Sequence, residues 1–152
     1  MRAAGLLLAA ALLLAGCAGR APRPAGPDPG TELAARALAL VGTPYQFGGA
    51  DAGGFDCSGL AFYVHEQSGI LIPRSAAGQQ QAARPVALEK ISPGDLLFFR
   101  IAGEGVDHVG IYLGGQRFVH APRAGAAVRI ASLGSGFYVA HLVSAGRFWR
   151  AP

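Results

Sequence analysis

The 152-residue chain has two cysteines, one lysine, one methionine and one tryptophan. Two cysteines are too few for a disulfide framework. Neither Cys-x-x-Cys nor His-Glu-x-x-His occurs, so the common zinc spacings are missing. The longest strongly apolar run near the start, Ala3 to Ala15, has 13 residues, and a membrane-spanning helix needs roughly 20. There is no internal repeat. Lysine is almost absent, with twelve of the thirteen cations being arginine, and nothing resembles a nucleic-acid-binding patch. The formal net charge is +4.

What is present begins at the N-terminus. A single cation, Arg2, precedes the apolar run, and small residues follow it. That order describes an export signal. Leu14-Ala15-Gly16-Cys17 resembles a bacterial lipobox, which implies cleavage before Cys17 and acylation of the new N-terminus. Residues 1–16 are therefore expected to be a lipoprotein signal peptide. Without Arg2, 12 cations face 9 acids, a charge of +3 that suits an anionic polymer or lipid surface. Residues 17–30 are expected to be the lipidated Cys17 and a tether. Four prolines in 18–30 would extend it at about 3 Å per residue, roughly 40 Å in all. Residues 31–152 then form one domain of 122 residues.

Thr31 to Gly42 reads as a helix, with Thr31 as cap and Gly42 and Pro44 as its stop. Residues 43–55 are rich in glycine and read as loop. A second helix is expected from Cys57 to Ser68, with Gly69 after it. Pro73-Arg74-Ser75 opens a third, through about Ala82. After Ser92-Pro93-Gly94 the period shortens. Strands are expected at Asp95–Ile101, Asp107–Leu113, Gln116–Ala121, Ala127–Ala131 and Leu142–Trp149. Helices followed by short strands give an α+β fold. The helices pack on a mostly antiparallel sheet of about five or six strands.

Cys57 stands at the mouth of the second helix. Asp56 is a good N-cap, and a helix N-terminus favours the thiolate, which is the nucleophilic form. Ser58-Gly59 should keep the next turn narrow enough for a substrate to approach. A cysteine nucleophile needs a base, and the base needs an orienting partner. Of the four histidines, His65 on a helix and His141 in a loop read as structural. His108 and His120 lie on the two strands of one hairpin. Val109, Ile111 and Leu113 form an apolar face, so His108, Gly110 and Tyr112 form the other, with Gly110 leaving an open groove. A two-residue turn at Gly114-Gly115 would send the two histidines to opposite faces. A three-residue loop, Gly114-Gly115-Gln116, sets Gly110 opposite His120. The imidazoles then share a face, roughly 7–8 Å apart at the backbone. The turn is therefore expected to hold an odd number of residues or a bulge.

Six segments occur in order: Pro44-Tyr45-Gln-Phe-Gly-Gly49, Phe55-Asp-Cys-Ser-Gly-Leu60, Pro73-Arg74-Ser75, Gly94-Asp-Leu-Leu-Phe-Phe99, Asp107-His-Val-Gly-Ile-Tyr-Leu-Gly114 and Phe118-Val-His-Ala121. Together they resemble the NlpC-type family of papain-like cell-wall peptidases over about residues 31–150. The resemblance implies Cys57 as nucleophile, His108 as base and His120 as the residue that orients it. It places Tyr45, Asp56 and Ser58 on the substrate side, with Arg74 meeting a substrate carboxylate or forming a structural ion pair. It implies peptidoglycan stem peptides or crosslinks as substrate, no cofactor and no metal. With the lipobox, it implies a monomer held by lipid on the outer membrane, facing the periplasm. Ala18 supplies no Asp-type inner-membrane retention signal. Residues 31–152 leave room for one core, so the family's separate wall-binding domain is not expected within them. Two rival expectations are a silent wall-binding scaffold and an amidase or acyltransferase using the same Cys–His chemistry.

Overall fold

A computed structural model describes residue 26 and residues 28–150. The signal, Cys17 and most of the tether lie outside the described residues.

The first helix, α1 (Pro29–Ala39), starts two residues earlier than expected. Asp28, not Thr31, caps it: the carboxylate accepts from the Thr31 amide at 3.3 Å. Pro29 occupies the first turn, where its missing N–H costs nothing. The glycine-rich segment is more ordered than a loop. It folds into a small antiparallel ribbon of β1 (Ala50–Asp51) and β2 (Gly54–Phe55). The Asp51 side chain accepts from the Gly53 amide at 2.8 Å and sets its turn. Next come α2 (Cys57–Glu66), two residues shorter than expected, and α3 (Ala76–Ala82), capped by Ser75. Gly69, at φ +72°, makes the left-handed exit after α2.

The sheet strands are β3 (Arg84–Val86), β4 (Leu96–Phe99), β5 (His108–Gly114), β6 (Arg117–His120), β7 (Arg129–Ser132) and β8 (Leu142–Arg147). A short helix, α4 (Gly136–His141), precedes β8. The strand order is β3-β8-β4-β5-β6-β7, with every neighbouring pair antiparallel. The fold is therefore α+β, as expected, but β3 and α4 were not foreseen. Pro85 hides β3, and an edge strand tolerates it.

Alternation in β4 to β6 divides the sheet. Leu96, Phe98, Val109, Ile111 and Val119 face Leu33 and Ala37 of α1 and Leu60, Ala61 and Val64 of α2. All are essentially buried. Each large side chain there contributes about 1.5–3 kcal/mol of transfer free energy. The opposite face carries Leu97, Phe99, Tyr112 and Phe118, with Tyr138 of α4 packed against it. That face is not an open groove. A Cβ on Gly110 would lie 2.5 Å from the Phe118 ring, so Phe118 occupies the space expected to be free.

The β5–β6 register sets Ile111 opposite Val119 and Tyr112 opposite Phe118. It then shifts, and Gly114 pairs with Arg117. The turn is thus Gly115-Gln116, both at positive φ, with an irregularity at Leu113. The extra residue gives the register in which His108 and His120 share a face.

Candidate active site

Cys57 is the first residue of α2. The Asp56 carboxylate fixes that turn by accepting from the Gly59 amide at 2.7 Å. Helix α2 lies across the start of β5, so the half-buried thiol meets strand backbone. Its Sγ lies 3.9 Å from the Asp107 carbonyl oxygen. Burial pushes the Cys57 thiol up from its ordinary value, and the Asp56 charge adds to this. Amides of Val109, Ser58 and Cys57 itself pull the other way without overcoming it. Backbone amides at the helix start thus pull toward the thiolate, and desolvation pulls harder the other way.

His108 opens β5 and is buried. Its Nε2 lies 2.8 Å from His120 Nδ1, with the rings nearly perpendicular at 87°. That bond occupies Nε2 and leaves Nδ1 without a hydrogen-bond partner among the described residues. No hydrogen bond joins Cys57 to His108 among the described residues. Burial pushes His108 well below its ordinary value, partly offset by Asp107. Burial pushes His120 down too, with His108 and Arg129 adding to the effect. Both imidazoles are neutral at neutral pH.

The substrate-side candidates divide. Asp56 also accepts from the Gly48 amide at 3.0 Å. Arg74 grips it with both terminal nitrogens, at 2.9 Å and 2.7 Å. The same guanidinium donates to Ser58 Oγ at 2.9 Å and to the Gly49 carbonyl at 3.2 Å. Burial would raise the Asp56 carboxyl, but Arg74 and the Gly59 amide hold it below its ordinary value. Arg74 thus forms the structural ion pair, one of the two alternatives the sequence left open. Gly59 serves packing, not substrate approach: a Cβ there would strike the Gly49 carbonyl oxygen. Tyr45 is half-buried, and its hydroxyl makes no hydrogen bond among the described residues. Burial raises its pKa, and so do the charges of Cys57 and Asp56.

Residues 42–147 match the NlpC/P60 family. The chain belongs to that family. It is 40% identical over 112 residues to murein DD-endopeptidase MepH of Escherichia coli, covering 70% of this chain and 41% of that protein. It is 38% identical over 110 residues to gamma-D-glutamyl-L-lysine dipeptidyl-peptidase of Bacillus subtilis, covering 71% of this chain and 37% of that protein. An NlpC/P60 family protein from Bacillus cereus superposes with a TM-score of 0.75 at 32% identity, covering 80% of this chain and 40% of that one. The NlpC/p60 domain of the peptidoglycan hydrolase SagA superposes with a TM-score of 0.68 at 35% identity, covering 78% of this chain and 97% of that one. The chain spans well under half the length of these curated relatives.

Several residues that hold this NlpC/P60 site together were given no role by the sequence. The Tyr138 hydroxyl lies 3.4 Å from His120 Nε2, beyond the far side of the histidine pair. The Asp107 carboxylate accepts from the amides of Ile101, Ala102 and Gly103 at 2.7–2.8 Å and pins the loop before His108. Buried Gln79 donates to the carbonyls of Ser58 and Pro73 at 3.0 Å and 2.8 Å, tying α3 to the first turn of α2. Tyr138 and Gln79 sit 18 and 21 residues from the groups they hold, beyond any local pattern. Chemically, the arrangement offers a thiol, an imidazole with a free nitrogen, a second imidazole behind it and backbone N–H groups at a helix start.

Proposed function

We propose that this protein is a cell-wall cysteine endopeptidase that hydrolyses amide bonds of peptidoglycan. The observation that carries the reading is the 2.8 Å His108–His120 bond beside a thiol at the start of α2. It supports a division of labour in which Cys57 attacks, His108 moves the proton and His120 orients the ring.

For His108 Nδ1 to accept the thiol proton, its Nε2 must carry the hydrogen and donate to His120 Nδ1. His120 is then protonated on Nε2, which faces the Tyr138 oxygen. Each proton has one acceptor, so a single tautomer satisfies the chain. As the substrate carbonyl arrives, His108 takes the Cys57 proton and the thiolate attacks. The Cys57 backbone N–H, with the unpartnered Tyr45 hydroxyl, stabilises the oxyanion. One such donor is worth about 3–4 kcal/mol in a well-studied protease. His108 then protonates the leaving amine, and water cleaves the thioester.

Within peptidoglycan, the bond we favour is the crosslink between D-alanine and a diamino acid. A tethered enzyme of this kind would meet mature wall. The anchoring part of the reading rests on Leu14–Cys17: lipid on Cys17 would hold the protein on the periplasmic side of the outer membrane. One acyl chain binds only marginally, so stable attachment needs the several chains of a lipoprotein. Cys17→Ser should move the protein into the soluble fraction; continued membrane fractionation would defeat that part. The activity is tested by mass spectrometry of muropeptides after incubation with purified protein. Monomers released from crosslinked dimers are expected. Dipeptide fragments from single stems would move the bond, and no release at all would end the peptidase reading.

A further inference from the structure

Behind the histidine pair lies a cavity of about 250 Å³. His108, His120 and Tyr138 form part of its wall, with Ile101 and two arginines, Arg123 and Arg129. Cys57 is not part of its wall, and His108 links the cavity to the candidate nucleophile only as a shared residue. Neither arginine takes part in a salt bridge among the described residues. Asp107 lines an adjoining hollow with Ile101 and His108. Its carboxylate oxygens are taken by three backbone amides of its own loop. The wall thus presents two unpaired guanidinium groups and no unengaged carboxylate.

We propose that Arg123 and Arg129 form a carboxylate subsite for the residue on the amine side of the scissile bond. The assignment rests on the peptidase reading above and names what that site selects. In amide hydrolysis the base that took the thiol proton returns it to the leaving amine. The amine-side residue therefore lies against His108, and the space beyond His108 receives whatever that residue carries. A guanidinium pairs with a carboxylate through two parallel hydrogen bonds, and an arginine pair suits a compact anion better than a neutral group. The substrate class is an amide whose amine comes from an amino acid with a free carboxylate on or near the amine-bearing carbon. A crosslink to the side-chain amine of diaminopimelate has this form.

Two synthetic peptides test the subsite. They share the same D-alanyl-diaminopimelate amide and differ only at the amine-bearing carbon, which carries a carboxylate in one and a carboxamide in the other. Binding is measured by calorimetry on the Cys57→Ala protein, and hydrolysis on the protein with Cys57 intact. The carboxamide peptide should bind about tenfold more weakly, since a charged hydrogen bond is lost. Adding Arg123→Gln and Arg129→Gln should erase that difference and raise KM for the carboxylate peptide about tenfold, with kcat within about threefold. Arg150→Gln makes the same charge change beside β3 and β8, at the opposite end of the strand order from β6 and β7, and should leave both values unchanged. Equal binding of the two peptides overturns the subsite. So does discrimination that survives the double variant, or an Arg150→Gln effect as large as theirs. Discrimination without hydrolysis keeps the subsite and removes the peptidase reading. Hydrolysis without discrimination does the reverse.

Discussion

His65 and His108 are both buried histidines, at 0% and 6% exposure, and burial lowers the basicity of both. Their ring nitrogens separate them. His65 donates from Nδ1 to the Ala61 carbonyl at 2.8 Å, one turn back in its own helix. Its Nε2 has no partner among the described residues, and the ring stands edge-on to Phe148. His108 uses Nε2 on another imidazole, and its Nδ1 has no hydrogen-bond partner among the described residues. Burial and a depressed pKa therefore do not mark a functional histidine in this molecule. Under the proposed mechanism, what separates the two is that His108 has Nε2 fixed and Nδ1 free.

The sharpest break between the two should come from deletion. His108→Ala removes the proton acceptor, and general-base catalysis is worth roughly 10²–10⁴-fold. Muropeptide release should fall by at least that factor, and Cys57→Ala should abolish it. His65→Gln should leave release by the folded fraction within about threefold. Equal losses in His65→Gln and His108→Ala would erase the distinction.

The second effect is on stability, and here His65 matters more. Its pKa is pushed from 6.5 to about 4 in the folded protein. Below pH 6.5 the unfolded chain binds a proton there and the folded chain does not. Stability is therefore full above 6.5 and falls as pH drops toward about 4. The loss attributable to His65 is on the order of 3 kcal/mol once both states are protonated. His108 and His120 push the same way, so the unsubstituted protein should be distinctly acid-labile. Urea midpoints at pH 7 and pH 4.5 should differ less for His65→Gln than for the unsubstituted protein. An undiminished difference would mean that His65 is solvated.

His120 should show the next effect. It orients the base without accepting the thiol proton, so His120→Ala should cost less than His108→Ala. A misplacement of about 1 Å can cost up to roughly 100-fold. His120→Asn or His120→Gln should recover part of the loss, chiefly in kcat, because either side chain still offers an acceptor to His108 Nε2. A fully active His120→Ala would assign the orienting role to another residue.

The distinction between the histidines was partly legible in the sequence. His108 alternates with Val109 and Ile111, which puts it on a definite face, and the glycines after Leu113 signal the turn. His65 falls within a helical period among buried apolar residues. What stayed hidden is what joins distant segments. Arg74 meets Asp56 across 18 residues, a pairing the motifs left open beside substrate binding. The space beside Gly110 looked open because a strand pattern shows which face a residue is on, not what fills it; Phe118 does. Helix α4 has six residues and no side-chain cap bond, so neither period nor capping announced it. With α4 missed, Tyr138 was missed too.

Tyr138 offers the finest test of the comparison, because it asks whether His120 needs a partner on its second nitrogen. The hydroxyl sits 3.4 Å from Nε2, a long contact, so its share is small. Tyr138→Phe keeps the ring, which stands edge-on to Phe118 and His120 at centroid distances of 5.0 and 5.3 Å, so packing survives. What goes is the acceptor for the His120 Nε2 hydrogen. A net hydrogen bond is worth about 0.5–1.5 kcal/mol, and a long one belongs near the lower end. The expected result is a fall in kcat of about threefold with KM unchanged. Tyr138→Ala, which also opens the ring's place against Phe99 and Phe118, should lose stability as well. If Tyr138→Phe retains full kcat, the His108–His120 bond alone holds the tautomer, and the chain of oriented groups ends at His120.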